Sequence, residues 1–238
     1  MEKIQRAIIL AAGEGSRLRP VTLTTPKPLV PVNGVRLINT GIEALKKNDI
    51  HEIYIVTGYK KELFYDLYKK DPEITILENP YYLKGNNITS LYVARDYLAG
   101  TFVMEGDLRI YNDAILNTSV EKSGYCASKS HKDAEWALEV ENNTIVSCDV
   151  TGAKGDYRLW GISMWTEEDG TRLSDIIRTY VEDVKDWSIY WDEVALFKYK
   201  SQFDLGIREI NDSDITEIDT IEELIAIDPS YEELCNAR

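Results

Sequence analysis

Histidine is nearly absent from this chain of 238 residues, with only two, His51 and His131, and neither stands in a ligand-like spacing. A zinc hydrolase built on imidazoles is thereby excluded, and any metal has to be held by oxygen. Cysteine is just as scarce. Cys126, Cys148 and Cys235 form an odd count with no Cys-x-x-Cys spacing, which excludes a disulfide framework and a structural zinc knot and leaves reduced structural thiols. No apolar run reaches the roughly 18 residues that a membrane helix needs. The start, MEKIQRAIILAAGEG, has charge and then a short apolar run, but it lacks a cleavage region and reads as a first strand, so a cytoplasmic protein is expected. Positive charge is in deficit too. A net charge of −14 repels nucleic acid and anionic membrane surfaces, while a cationic small molecule would find such a background favourable.

Against that background one segment stands out. LAAGEGSRLRPVTLTTPKPLVPV, residues 10–32, holds two glycines, two arginines and a lysine between prolines. The dinucleotide fingerprint Gly-x-Gly-x-x-Gly/Ala fails here, because Leu18 stands at the third position and Pro20 interrupts the helix. A P-loop fails as well, since Lys27 lies far from the second glycine. There remains a loop whose glycines admit backbone N–H groups to an anion, with Arg17 and Arg19 beside it. Pro26 and Pro28 make a stiff strap, expected to be extended, that fixes the Lys27 ammonium.

The elements around the loop alternate. Strands are expected at 6–12, 52–58, 74–77 and 101–107. Helices are expected at 35–48, where Leu37, Ile38, Ile42 and Leu45 recur at helical spacing, and at 61–70 and 88–99. Such βαβ order predicts an α/β fold of three layers, α/β/α and Rossmann-like, with a mainly parallel mixed sheet and a ligand cleft beyond the carboxyl ends of its strands. The second half reads as strands in GYCAS, WALEVENNTIVSCDV and LWGISMW, with a hairpin tip at Asn142-Asn143. Helices follow over EEDGTRLSDIIRTYVEDV and YWDEVALFKYK, and a last one is capped by Asp219 or Thr220. With no repeat and no linker, residues 1–238 form one expected domain, a nucleotide-binding half over about 1–110 and an acceptor-binding half over about 111–238.

The glycine loop with its Pro-Lys-Pro strap resembles the signature of the nucleotidylyltransferases, which join an NTP to a phosphorylated small molecule and release pyrophosphate. VTGY, NNITSLY, MEGD, EWALEV, IYWDE and ITEID extend the likeness over most of the chain, and together they are similar to the bacterial choline-phosphate cytidylyltransferases. The resemblance implies transfer of CMP from CTP to phosphocholine. Ala12, Gly13, Gly15, Ser16 and Arg17 would wrap the triphosphate, and Lys27 would stabilise charge at the reacting phosphate. Thr57, Gly58, Tyr59, Asn79, Asn87 and Ser90 are the candidates for base and ribose contacts.

Nucleotidyl transfer needs positioning and charge neutralisation more than covalent help, and Mg2+ takes one or two carboxylates besides phosphate and water. Asp107, at the end of an apolar strand, and Asp192 are the expected metal pair, which the resemblance supports. Asp219 is expected chiefly as a helix cap, and Glu105 is placed to join Asp107. A quaternary ammonium is selected by aromatic faces with a nearby carboxylate. Glu135-Trp136 and Tyr190-Trp191, beside Asp192 and Glu193, supply those materials for an acceptor site. Three alternatives stay open: an acceptor with a primary ammonium (2-aminoethylphosphonate or phosphoethanolamine), a sugar 1-phosphate, or a nucleotide-binding module without turnover. No patch in the sequence marks a homodimer surface.

Overall fold

The computed structural model describes residues 1–131 and 135–236, and the side chains of Cys235 and Asn236 lie outside the described set. Four parallel strands make one side of a nine-stranded sheet: β1 (Arg6–Ala11), β2 (Glu52–Thr57), β3 (Ile74–Glu78) and β4 (Thr101–Glu105). Between them run α1 (Leu37–Lys47), α2 (Lys61–Tyr68) and α3 (Ile88–Val93). In β1, Ala7, Ile9 and Ala11 enter one core while Ile8 and Leu10 enter another, so the strand is covered on both faces as a continuous apolar run requires. The same alternation in β2 and β4 confirms three layers.

The second half extends the sheet with antiparallel pairing. Beyond β5 (Leu108–Ile110) come β6 (Gly124–Lys129), β7 (Ala137–Glu141), β8 (Thr144–Asp149) and β9 (Tyr157–Trp165). The path runs β8-β7-β9-β4-β1-β2-β3, with β6 paired to β9 and to the later strand β10 (Gly206–Glu209). Asn142 and Asn143, with φ of 48° and 61°, form the expected hairpin tip between β7 and β8. The helix expected after Thr166 appears as α4 (Glu167–Thr179) and loosens into a π turn at Tyr180–Val184. The one expected over YWDEVALFKYK is only a π turn, Val194–Lys198.

A small satellite core sets the site. Leu18, Val30, Val32 and Leu37 pack with Ile218, Leu224 and Tyr231, so the glycine loop and the strap are clamped to the last part of the chain. That part comprises β11 (Ile215–Glu217), paired with β5, and α5 (Ile221–Ile227). Among the described residues no helix is long and apolar enough to cross a membrane. Cys126 and Cys148 are free thiols, each pushed by burial to a pKa of about 12.

Candidate active site

The glycine loop leaves β1 and turns back under the strap. Gly15 has φ 60°, and a Cβ there would lie 2.8 Å from the Cβ of Lys27, so only glycine lets the two segments cross. The Thr22 hydroxyl donates to the Gly15 carbonyl at 2.8 Å and fixes that crossing. The strap is not the extended segment that its prolines suggested. Leu29 N–H donates to the Pro26 carbonyl at 2.8 Å, closing a 3-10 turn over Lys27–Leu29; Pro28 has no N–H to lose in its first turn. Gly106, between Glu105 and Asp107, is the second close crossing: a Cβ would meet the Leu10 carbonyl at 2.9 Å and Pro28 Cγ at 3.1 Å. Lys27 is thereby brought to the end of β4.

Its ammonium is buried and doubly paired, 2.7 Å from Asp107 Oδ2 and 2.5 Å from Asp219 Oδ1. Arg17 shares Asp219 at 2.9 Å. Burial alone would lower the Lys27 pKa, but the attraction of Asp107 and Asp219 raises it above the ordinary value, so the lysine is held charged. Asp219 is free to do this because Thr220, not Asp219, caps α5. The Thr220 hydroxyl accepts from Glu223 N–H, and Glu223 accepts in return from the N–H groups of Thr220 and Asp219.

Asp107, Glu217 and Asp219 each offer an oxygen within 4.8 Å of the others. Asp107 Oδ1 is buried and has no hydrogen-bond partner among the described residues. Hard oxygen donors converging with one lone pair unspent fit a magnesium-sized cation. Asp192, expected as the second ligand, is not one of this trio but lines the same cleft, and Glu217, which the sequence reading did not name, stands beside Asp107 and Asp219.

Arg17, Lys27, Asp107, Glu217 and Asp219 line one cleft of about 730 Å³ together with Ala12, Gly13, Gly15, Glu135, Trp136, Tyr190 and Asp192. The cleft is rich in buried acids that raise one another's pKa. Burial first, then Asp107, Asp192 and Glu217, lifts Glu105 well above the usual carboxylate range. Burial, then Asp107 and Asp219, pushes Glu217 to about 8. Asp192 is pushed by burial to about 7, although the Tyr125 hydroxyl opposes the shift. Trp136 stands edge-on to Tyr190, ring centres 5.8 Å apart, above these acids.

The other expected residues fall into different places. Trp191 is in the core, 3% exposed and stacked on Tyr125 at 6.0 Å, so its ring is not part of the cleft wall. Thr57, Gly58 and Tyr59 brace the loop from behind: Tyr59 N–H donates to the Ala12 carbonyl, and the Tyr59 hydroxyl donates to Thr22. Asn79 is buried, its amide donating to Thr89 and Ser90 and accepting from Tyr81 N–H. Ser16 is exposed at the start of a 3-10 turn and is not a lining residue, whereas Asn87 and Ser90 line the cleft.

A glycine loop at the end of a parallel strand, a buried lysine and a convergent set of carboxylates make a candidate site of the kind a nucleotidyl transferase needs. The nucleotidyl transferase family model matches residues 6–125, and the chain belongs to that family. Relatives matched over most of the chain include cytidylyltransferases. The chain is 34% identical over 228 residues to a 2-aminoethylphosphonate cytidylyltransferase of Lancefieldella rimae, covering 94% of this chain and 92% of that one. It is 31% identical over 218 residues to a choline-phosphate cytidylyltransferase of Streptococcus pneumoniae, covering 92% and 94%. The solved structure of the CTP:phosphocholine cytidylyltransferase from Streptococcus pneumoniae superposes with a TM-score of 0.85 at 30% identity, over 98% of this chain and all of that one.

Proposed function

We propose that the protein transfers CMP from CTP to phosphocholine, giving CDP-choline and pyrophosphate. A phosphate oxygen of the acceptor attacks the α-phosphorus in line; a P–O bond forms there as the bond to the β-phosphate bridging oxygen breaks, and pyrophosphate leaves with that electron pair. Ala12, Gly13 and Gly15 present the backbone along which the triphosphate lies, and Arg17 stands at its outer end. Lys27 is held charged at the point where the strap meets β4, where it would stabilise negative charge on the reacting phosphate. Asp107, Asp219 and Glu217 would hold Mg2+, whose chemistry when bound is to neutralise phosphate oxygens. On the far wall Trp136 and Tyr190 offer π faces to a quaternary ammonium, and Asp192 and Glu135 offer it negative charge.

The observation that carries this reading is the cleft itself, with Lys27 and the carboxylate trio facing an aromatic and acidic wall. A second reading has its own support. The two carboxylates of that wall, Glu135 and Asp192, could each accept an N–H hydrogen bond, which suits a primary ammonium, and the relative from Lancefieldella rimae is the aminoethylphosphonate enzyme. Pyrophosphate release with CTP and Mg2+ against phosphocholine, 2-aminoethylphosphonate and phosphoethanolamine in parallel separates the two. The highest kcat/KM is expected for phosphocholine. A preference for 2-aminoethylphosphonate would replace it, and release only with another nucleotide would overturn the cytidylyl assignment.

A further inference from the structure

The segment that carries the acceptor wall, residues 187–192, has no regular structure of its own to hold it. It is fastened instead to the turn ahead of α3. Asn86 N–H donates to the Trp187 carbonyl at 2.6 Å, and the Asn86 amide donates to the Ser188 carbonyl at 3.3 Å. The third fastening belongs to Asn87. Its Oδ1 accepts from Trp191 N–H at 2.9 Å, across 104 residues of chain, and its Nδ2 donates to Glu105 Oε1 at 3.0 Å.

We infer that Asn87 is a positioning residue for the acceptor half of the site, and not a nucleotide contact. Both ends of its amide are committed to protein, one to the backbone N–H of Trp191, the residue before Asp192, and the other to the Glu105 carboxyl group, which lines the cleft. Trp191 is anchored by its ring in the core, so pinning its N–H sets the direction in which Asp192 leaves the chain. One amide thus fixes the placement of two acidic side chains, Asp192 through its neighbour Trp191 and Glu105 directly. This inference rests on the proposed function for its kinetic test and on the hydrogen bonds alone for its structural one.

Two variants separate the contacts. Asn87→Ala loses both, and Asn87→Asp keeps an acceptor for Trp191 N–H while losing the donor to Glu105. In Asn87→Ala, KM for phosphocholine is expected to rise about tenfold, the worth of one hydrogen bond to a charged group, with KM for CTP unchanged. Backbone amides of residues 187–192 should exchange faster with deuterium in Asn87→Ala than in Asn87→Asp, whereas both variants should show the raised acceptor KM. A rise in KM for CTP in place of the acceptor, or unaltered exchange in the alanine variant, overturns the inference. If the parent protein uses 2-aminoethylphosphonate instead, the same split is read with that acceptor. A parent that turns over none of the acceptors would sink the functional reading, and the exchange experiment would still decide the role of Asn87.

Discussion

Replacing Lys27 with methionine tests the electrostatics of the site at its tightest point. The lysine side chain is 9% exposed and its partners Asp107 and Asp219 are 21% and 20% exposed, so water can do little to compensate them. Removing one member of a buried ion pair costs about 3–5 kcal/mol, because the charge left behind is unpaired. For a domain of this length each kcal/mol moves Tm by about 2–4 °C, so the expected loss is about 6–20 °C. Methionine keeps most of the aliphatic bulk packed against Gly15, which leaves charge as the variable. Magnesium should then stabilise the variant more than the parent, since in the parent the ammonium already sits against two of the three carboxylates and competes with a second cation. Thermal unfolding with and without MgCl2, for both proteins, reads this directly, and pyrophosphate release should be lost in the variant at any magnesium concentration. A Tm within about 2 °C of the parent would refute the argument, being the range of an ordinary surface change. So would a magnesium effect no greater than the parent's.

Other outcomes follow from the same geometry. Glu217, ordinarily near 4.5 and here at about 8, and Asp192, ordinarily near 3.8 and here at about 7, bind more protons folded than unfolded; native stability should therefore fall as pH rises from roughly 4 to 8, measured by urea titration across that range. A cation entering the cleft favours their charged forms, so mixing Mg2+ or phosphocholine with the protein at pH 7 in weak buffer should release protons, detectable with an indicator dye. Thr220→Ala should cost about 1 kcal/mol through the lost cap and should lower activity more than stability, because the same capping box orients Asp219; kcat and Tm measured together show the split. Trp136→Leu should raise KM for the acceptor and leave KM for CTP in place, and equal rises in both would remove the ring from the acceptor site.

Much of the frame was legible before any coordinates. Continuous apolar runs such as AIILA can only be strands covered on both sides, and the glycine-rich turn after the first of them has to face the carboxyl edge of the sheet. Lys27 was legible from its prolines, although the strap curls into a turn because Pro26 supplies an acceptor to Leu29. The carboxylates were harder. Asp219 read as a cap because it precedes α5, yet Thr220 is one residue closer and takes that part. Glu217 was missed, and its signal was local: in ITEID, residues 217 and 219 stand two apart at the end of a short strand, which turns both to one side. Trp191 shows the opposite limit. Aromatic composition does not distinguish a ring in a cage from a ring in a core, and only the long-range packing against Tyr125 and Trp165 decides it.

The clamp between the glycine loop and the C-terminal segment has a consequence for how the enzyme is made. Lys27 is synthesised almost two hundred residues before Asp219, the group that pairs with it. A chain still emerging from the ribosome, or one clipped ahead of β11, would own the whole phosphate loop and yet lack one of the two counter-charges of Lys27 and the packing of Ile218 that seats the loop. Competence therefore arrives late and all at once, with the last strand and helix serving as the keystone of a site begun in the first dozen residues.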